Sequence, residues 1–251
     1  MPHFPEDKFL EASKIITKLG KPFIPQEEGS SLYIRPFMFA SEVGLGIKPA
    51  EKFIFMTIAS PSGPYFNTGN LNVLIERDAV RAVSGGVGTA KTGGNYAASL
   101  LSAKKSKDFG CHQTIWLDAI KRENIEEMSG MNFMAVINNK LVTPALTDTI
   151  LAGITRESLL IIARDMGIET VEKTLTISEL TDSIKSGECT EAFACGTAAV
   201  VTPISMFKET NGDQFELSKP DGELGKKLKA HLLNIQSGLE DGPKEWSIRV
   251  D

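Results

Sequence analysis

An α+β fold is predicted by three features of the sequence. Segments rich in aromatic and β-branched residues recur along the chain, amphipathic helical patterns fall between them at irregular intervals, and the regular strand–helix alternation of a doubly wound sheet is absent. The 251 residues, 41% hydrophobic and 24% charged, allow one large domain or two smaller ones.

Taken in order, Phe9, Leu10, Ile15, Ile16 and Leu19 stand at mostly helical spacing between Pro5 and Gly20, which stops the helix. SSLYIRPFMFASEV and KFIFMTIASP then read as strands. SPSGPYFNTGN, from Ser60 to Asn70, holds two prolines and two glycines and marks the domain boundary. The expected division is 1–62, a connecting loop over 63–70, and 71–251. Beyond it, NVLIERD is a strand, Asn95 to Lys107 a helix, and HQTIWLDAI a strand. MNFMAVINNKLVTP gives two strands joined by an Asn138-Asn139 turn. ITRESLLIIARDMG is a helix that Thr155 could cap and Gly167 ends. A helix from Ser178 to Ser186, a strand FACGTAAVVTPISMF and a last helix from Leu224 to Ile235 complete the reading.

A net charge of −5 argues against nucleic acid as partner, since that binding leaves a basic footprint. No apolar run is long enough to span a membrane, and MPHFPEDKFLEASK lacks the pattern of a signal peptide. Cys111, Cys189 and Cys195 have no metal or redox spacing, which fits reduced thiols in a cytoplasmic or organelle-matrix protein. His3, His112 and His231 fit no metal or triad pattern, so no metal is expected.

The chemistry centres on SGGVGTAKTGGNYAAS, Ser84 to Ser99, with five glycines around Lys91. A phosphate-binding P-loop needs glycine immediately before the lysine, and Ala90 stands there. A dinucleotide turn fails as well, because Gly86-Val87-Gly88 leads to Lys91 where the third glycine belongs. A lysine amine can instead form a Schiff base with an aldehyde cofactor, and flanking glycines would let a planar ring lie close to the backbone.

GTAKTGGNYAASLL resembles the cofactor-lysine segment of branched-chain amino acid aminotransferases, pyridoxal-phosphate enzymes of fold type IV. SLYIRPFMFASEVGLGIKP, WLDAIKRENIEEMSGMNFMAV, LTDTILAGITRESLLIIARDMGI and FACGTAAVVTPI resemble that family's other signatures, in its order and at its spacing. The resemblance implies a small α/β domain before the boundary and a large pseudo-barrel cofactor domain after it. It also implies a homodimer, bound pyridoxal 5'-phosphate, and amino-group transfer between leucine, isoleucine or valine and 2-oxoglutarate. D-amino acid aminotransferase and aminodeoxychorismate lyase are rivals within the fold, against which YIRP and EEMSGMN argue.

The roles implied by the resemblance fall on particular residues. Lys91 matches the Schiff-base lysine, and Tyr96 the tyrosine that hydrogen-bonds the cofactor's phenolic oxygen. Glu127 matches the carboxylate facing the pyridine nitrogen, its spacing to Met131-Asn132 selecting it over Glu126; two neighbours on a strand face opposite sides. Ile154 and Thr155 match phosphate contacts at a helix N-terminus, and Thr197 a second one. The amides of Thr197 and Ala198 match the pair holding the substrate carboxylate. Arg35, with Tyr33 beside it, matches the receptor for the side-chain carboxylate of glutamate or 2-oxoglutarate. Leu45 and Ile47 match a loop covering the partner subunit's apolar pocket. Some family members carry a C-x-x-C pair where Ala199 and Thr202 stand here, so no redox switch is expected.

One departure from the family concerns the start. Its chains begin well before this Met1, and PHFPEDKFLEASK already matches the middle of the small domain. The resemblance therefore implies a chain without roughly the first third, including an arginine at the phosphate site. Loss of one charge-assisted contact, worth roughly 1.5–3 kcal/mol, would weaken cofactor binding about ten- to a hundredfold. A non-catalytic form that pairs with a full-length subunit is the alternative expectation.

Overall fold

The computed structural model describes residues 1–27, 30–63 and 69–250, so part of the loop expected over 63–70 lies outside the described residues. The chain divides into two compact units, Met1–Tyr65 with Lys244–Asp251, and Phe66–Pro243.

In the first unit, α1 (Glu6–Gly20) carries two acidic residues in its first turn, where they complement the helix dipole. β1 (Ser31–Ala40) and β2 (Phe53–Ser62) form an antiparallel ribbon in which Arg35 lies opposite Ile58 and Phe37 opposite Met56. Phe4 stacks on Phe55 with ring centroids 3.8 Å apart, and Phe9 lies 5.9 Å from the same ring. Gly20 is buried against Leu32, where an added Cβ would stand 2.6 Å from Cδ2.

The second unit is one sheet with helices. Its elements are β3 (Leu71–Glu76), α2 (Gly93–Asp108), β4 (Gln113–Leu117), β5 (Ile125–Met128), β6 (Asn132–Ile137) and β7 (Lys140–Pro144). They continue as α3 (Ile154–Asp165), β8 (Thr170–Lys173), α4 (Ile177–Ser186), β9 (Cys189–Gly196), β10 (Val200–Lys208), β11 (Gln214–Glu216) and α5 (Glu223–Ser237). The strand order is β5-β4-β3-β10-β9-β6-β7-β8, with β11 added to β10; β3 pairs in parallel with both β4 and β10. β5, at one end of the order, runs into β6 through a tight turn in which Met128 N–H donates to Met131 O at 2.9 Å, so the sheet curls to bring its end to its middle. This mixed, curled architecture is the expected α+β pseudo-barrel.

Period-2 alternation fills the concavity. Leu71, Val73 and Ile75 of β3 join Ile115 and Leu117 of β4 and Phe133 and Ala135 of β6 in one buried cluster. Phe193 on β9 is equally buried, and its ring lies against Gly225 of α5. Asn138 and Asn139 take left-handed conformations, φ 51° and 60°, so the two-residue turn between β6 and β7 forms as expected.

Two expectations are corrected. FACGTAAVVTPISMF is two antiparallel strands, β9 and β10, with a turn over 197–199. The N-cap of α3 is Gly153, with no side-chain cap, so Thr155 lies inside the helix. A true threonine cap occurs on α4, where the Thr176 hydroxyl accepts from Glu179 N–H at 3.0 Å. That helix ends on Gly187 at φ +80°, and Gly187→Ala is expected to cost roughly 1 kcal/mol, readable as a lower urea midpoint with unchanged slope.

Candidate active site

The lysine segment is shaped by its own backbone and by Asn95. Gly86 N–H donates to Val83 O and Ala90 N–H to Val87 O, both at 3.0 Å. The Asn95 amide donates to Val87 O at 2.8 Å and Ala90 O at 2.9 Å, tying the loop to the first turn of α2. Lys91 Nζ emerges at the surface and donates to Tyr96 Oη at 2.9 Å. Gly93 and Gly94 face open space, whereas Gly88 is buried against the turn over 147–151. A Cβ on Gly88 would lie 2.6 Å from Thr149 Cα and 2.8 Å from Thr149 O, so only glycine fits that approach. α2 itself buries Ser102 and Ser106 and turns Leu100 and Leu101 outward.

Opposite stands β5, whose consecutive glutamates are both buried and face different partners. Glu127 Oε2 accepts the Leu151 N–H at 3.1 Å and the Asn132 amide at 3.4 Å. Its Oε1 lies 3.0 Å from Arg81 Nε, a charge contact outside aligned hydrogen-bond geometry. Glu126 Oε1 instead accepts the Thr149 hydroxyl at 2.5 Å. Burial pushes the Glu127 carboxyl up to about 7, opposed by Arg81 and the Leu151 N–H and reinforced by Glu126. Burial also raises Glu126.

A carboxyl raised by folding binds more protons folded than unfolded between pH 4.5 and about 7. Its stabilising contribution is therefore complete in acid and lost as pH rises towards 7, by about 3 kcal/mol at most. Glu127→Gln is expected to shrink the fall in melting temperature between pH 5 and 7, a comparison thermal scans at fixed ionic strength decide.

Other sequence-selected residues converge on this end of the sheet. The Tyr96 ring lies beside Gly130, where an added Cβ would meet its Cε1 at 3.3 Å. Asn132 donates to Leu151 O at 2.9 Å, and Gly153 packs so closely on Asn132 that a Cβ would collide with its Oδ1. Gly153 is the N-cap of α3, whose Ile154 is 81% exposed and whose first-turn N–H groups have no intrahelical acceptor. Cys195, next to Gly196, pairs with Asn132, which brings the Thr197–Ala198 turn to the same end; both turn residues are exposed. Val200 closes that turn at φ +57°, unusual for a β-branched residue.

Tyr33, Arg35, Leu45 and Ile47 belong to the first unit. Arg35 Nη2 donates to Tyr33 Oη at 3.2 Å and its guanidinium lies 4.9 Å from the Tyr33 ring centroid, with Arg35 exposed and Tyr33 half-buried. Leu45 and Ile47 are fully exposed in the segment between β1 and β2.

Arg81 was not legible in the sequence. It is 9% exposed and donates through Nη2 to Gly88 O at 3.1 Å and also to Thr149 O. It thereby links the lysine loop, the 147–151 turn and Glu127. Glu127 and Thr149 lie far along the chain from it, and RDAVRAVS carries no motif, so no local signal could have found it.

An exposed amine beside a phenol, a buried carboxyl and free N–H groups at a helix start form a donor set suited to an aldehyde cofactor bearing a ring nitrogen and a phosphate. The match to known proteins agrees: the amino-transferase class IV pattern covers residues 10–207, and the chain belongs to that family. It is 45% identical over 249 residues to a probable branched-chain-amino-acid aminotransferase of Streptomyces coelicolor, covering 98% of this chain and 69% of that one. It is 43% identical to branched-chain-amino-acid transaminase 1 of Bacillus subtilis, covering 100% of this chain and 71% of that one. Among solved structures, a T.th. branched-chain amino acid aminotransferase complexed with N-(5'-phosphopyridoxyl)-L-glutamate superposes with a TM-score of 0.77 at 25% identity, over 100% of this chain and 77% of that one.

Proposed function

We propose that this chain transfers amino groups between branched-chain L-amino acids (leucine, isoleucine, valine) and 2-oxoglutarate, with pyridoxal 5'-phosphate as cofactor. The observation that carries the reading is Lys91 against Tyr96 at the end of the sheet where Glu127 lies buried with Arg81, in a chain 45% identical to a relative of that name.

Bound pyridoxal 5'-phosphate supplies an aldehyde and an electron-accepting ring, the chemistry that stabilises negative charge at an amino acid's α-carbon. The residues supply the rest. Lys91 Nζ is the amine able to hold the aldehyde and, once free, to move a proton at the substrate's α-carbon; Tyr96 Oη, 2.9 Å away, orients it. Glu127 offers a carboxylate to a protonated ring nitrogen, and a cation there would favour its ionised form. The N–H groups of Ile154 and Thr155 suit a phosphate, with Thr197 as a second contact. The exposed Thr197–Ala198 amides suit the substrate's α-carboxylate. Arg35 with Tyr33 suits the side-chain carboxylate of glutamate, and Leu45 and Ile47 are apolar groups free to cover a partner subunit's pocket. A homodimer is part of the reading: Leu100 and Leu101, 68% and 76% exposed on α2, offer a face for a second copy.

The test is direct. Borohydride reduction of the chain with pyridoxal 5'-phosphate is expected to place the label on Lys91, and leucine with 2-oxoglutarate to give glutamate. Absence of label at saturating cofactor would sink the reading.

A further inference from the structure

Glu126 plays no part in the roles above, yet it is 6% exposed, and its Oε2 has no hydrogen-bond partner. It lines a cavity together with Ser84, Thr147 and Asp148. Its one side-chain bond, from the Thr149 hydroxyl at 2.5 Å, reaches the centre of the 147–151 turn.

That turn holds the site together from several directions. Thr149 O accepts Arg81 Nη2, and Leu151 N–H donates to Glu127 Oε2 at 3.1 Å. Asp148 Oδ2 accepts the Ser84 hydroxyl at 2.7 Å and Gly85 N–H at 2.9 Å. Gly88 presses on Thr149 Cα so closely that no side chain fits between them. A shift of the turn by an ångström would move the cation beside Glu127 and both ends of the loop leading to Lys91.

We propose that Glu126 is a positioning residue: by accepting the Thr149 hydroxyl it fixes the 147–151 turn, and through that turn it holds Arg81, the Glu127 carboxylate and the lysine loop in mutual register. Thr149 is the link, its hydroxyl bound to Glu126 and its carbonyl to Arg81. Thr147 Oγ1 lies 2.8 Å from Thr149 Oγ1 and extends the chain of hydroxyls: with the Thr149 hydrogen given to Glu126, Thr147 is the donor to Thr149.

Amide hydrogen exchange on the cofactor-free full chain tests this, with α3 and α5 as internal controls. In Thr149→Val and Glu126→Leu, exchange over both 147–153 and 84–92 is expected to quicken about tenfold while the controls keep their rates. The double variant should be no faster than either single one, because both remove one contact. Thr149→Ser and Glu126→Gln keep a donor and an acceptor and should return to within about twofold of the parent. A parental rate over 84–92 in Thr149→Val, or additive effects in the double variant, overturns the proposal. For the catalytic consequence, which rests on the transaminase reading, the pH midpoint of the bound cofactor's visible band should move in Thr149→Val and not in Thr149→Ser. If the parent protein takes up no cofactor, that reading fails while the exchange result still decides the positioning.

Discussion

Lys91→Ala is expected to retain the parental melting temperature within a degree or two and to lose transamination by at least roughly a thousandfold, the scale of losing both a covalent anchor and a proton carrier. The fold should tolerate the change because Lys91 is exposed and its one side-chain bond is to Tyr96, itself 42% exposed. Lys91→Arg keeps the charge and discriminates further: a guanidinium stays protonated and cannot serve as the nucleophile, so activity should stay lost. Tyr96→Phe keeps the amine and removes only its partner, so a smaller, roughly tenfold loss is expected. Steady-state rates with leucine and 2-oxoglutarate, beside borohydride labelling, separate these cases. Parental turnover in Lys91→Ala would exclude Lys91 from the chemistry.

Arg81→Met is expected to be the most destabilising change near the site, by about 3–5 kcal/mol, because it leaves a buried carboxylate without its cation. Two buried carbonyls, Gly88 O and Thr149 O, also lose a donor. The penalty depends on pH in a defined direction. With the cation gone, Glu127 rises above its present value of about 7, so at pH 5 it is neutral with or without Arg81. Urea unfolding should therefore show a smaller difference between Arg81→Met and its parent at pH 5 than at pH 8. Arg81→Lys should rescue little, since one ammonium cannot reach Glu127, Gly88 O and Thr149 O together. Equal penalties at both pH values would mean that packing, not charge, is what Arg81 provides.

Lys91, Tyr96, Glu127 and the α3 N-terminus were singled out because each sits in a short stretch whose residue order resembles a known signature, and the fold brings those stretches to one end of the sheet. The Asn138-Asn139 turn was legible because two left-handed residues in a row narrow the choice of side chain. Arg81 was hidden for the opposite reason: its bond to Thr149 crosses 68 residues, and nothing around it is periodic or unusual. α2 was readable as a helix from its span, yet its packing was not. It buries serines and exposes leucines, so hydrophobic patterning points away from its buried side. The β9–β10 turn was missed because Ala199, Val200 and Val201 look like continuous strand, and the reversal depends on a valine in a conformation its own propensity opposes.

That valine has a consequence for how the protein could change. A β-branched residue at φ +57° costs about 1–2 kcal/mol in backbone conformation, and glycine would remove the cost. Glycine would also widen the unfolded ensemble by roughly 0.5–1 kcal/mol, so the two effects partly cancel in stability. They do not cancel in stiffness. Val200→Gly would leave the Thr197–Ala198 amides attached to a hinge, free to sample geometries that a bound carboxylate would then have to select from. On the proposed role of those amides, thermostability and substrate affinity would be separable at this position, and a screen for stability alone would pass a turn that had lost its aim.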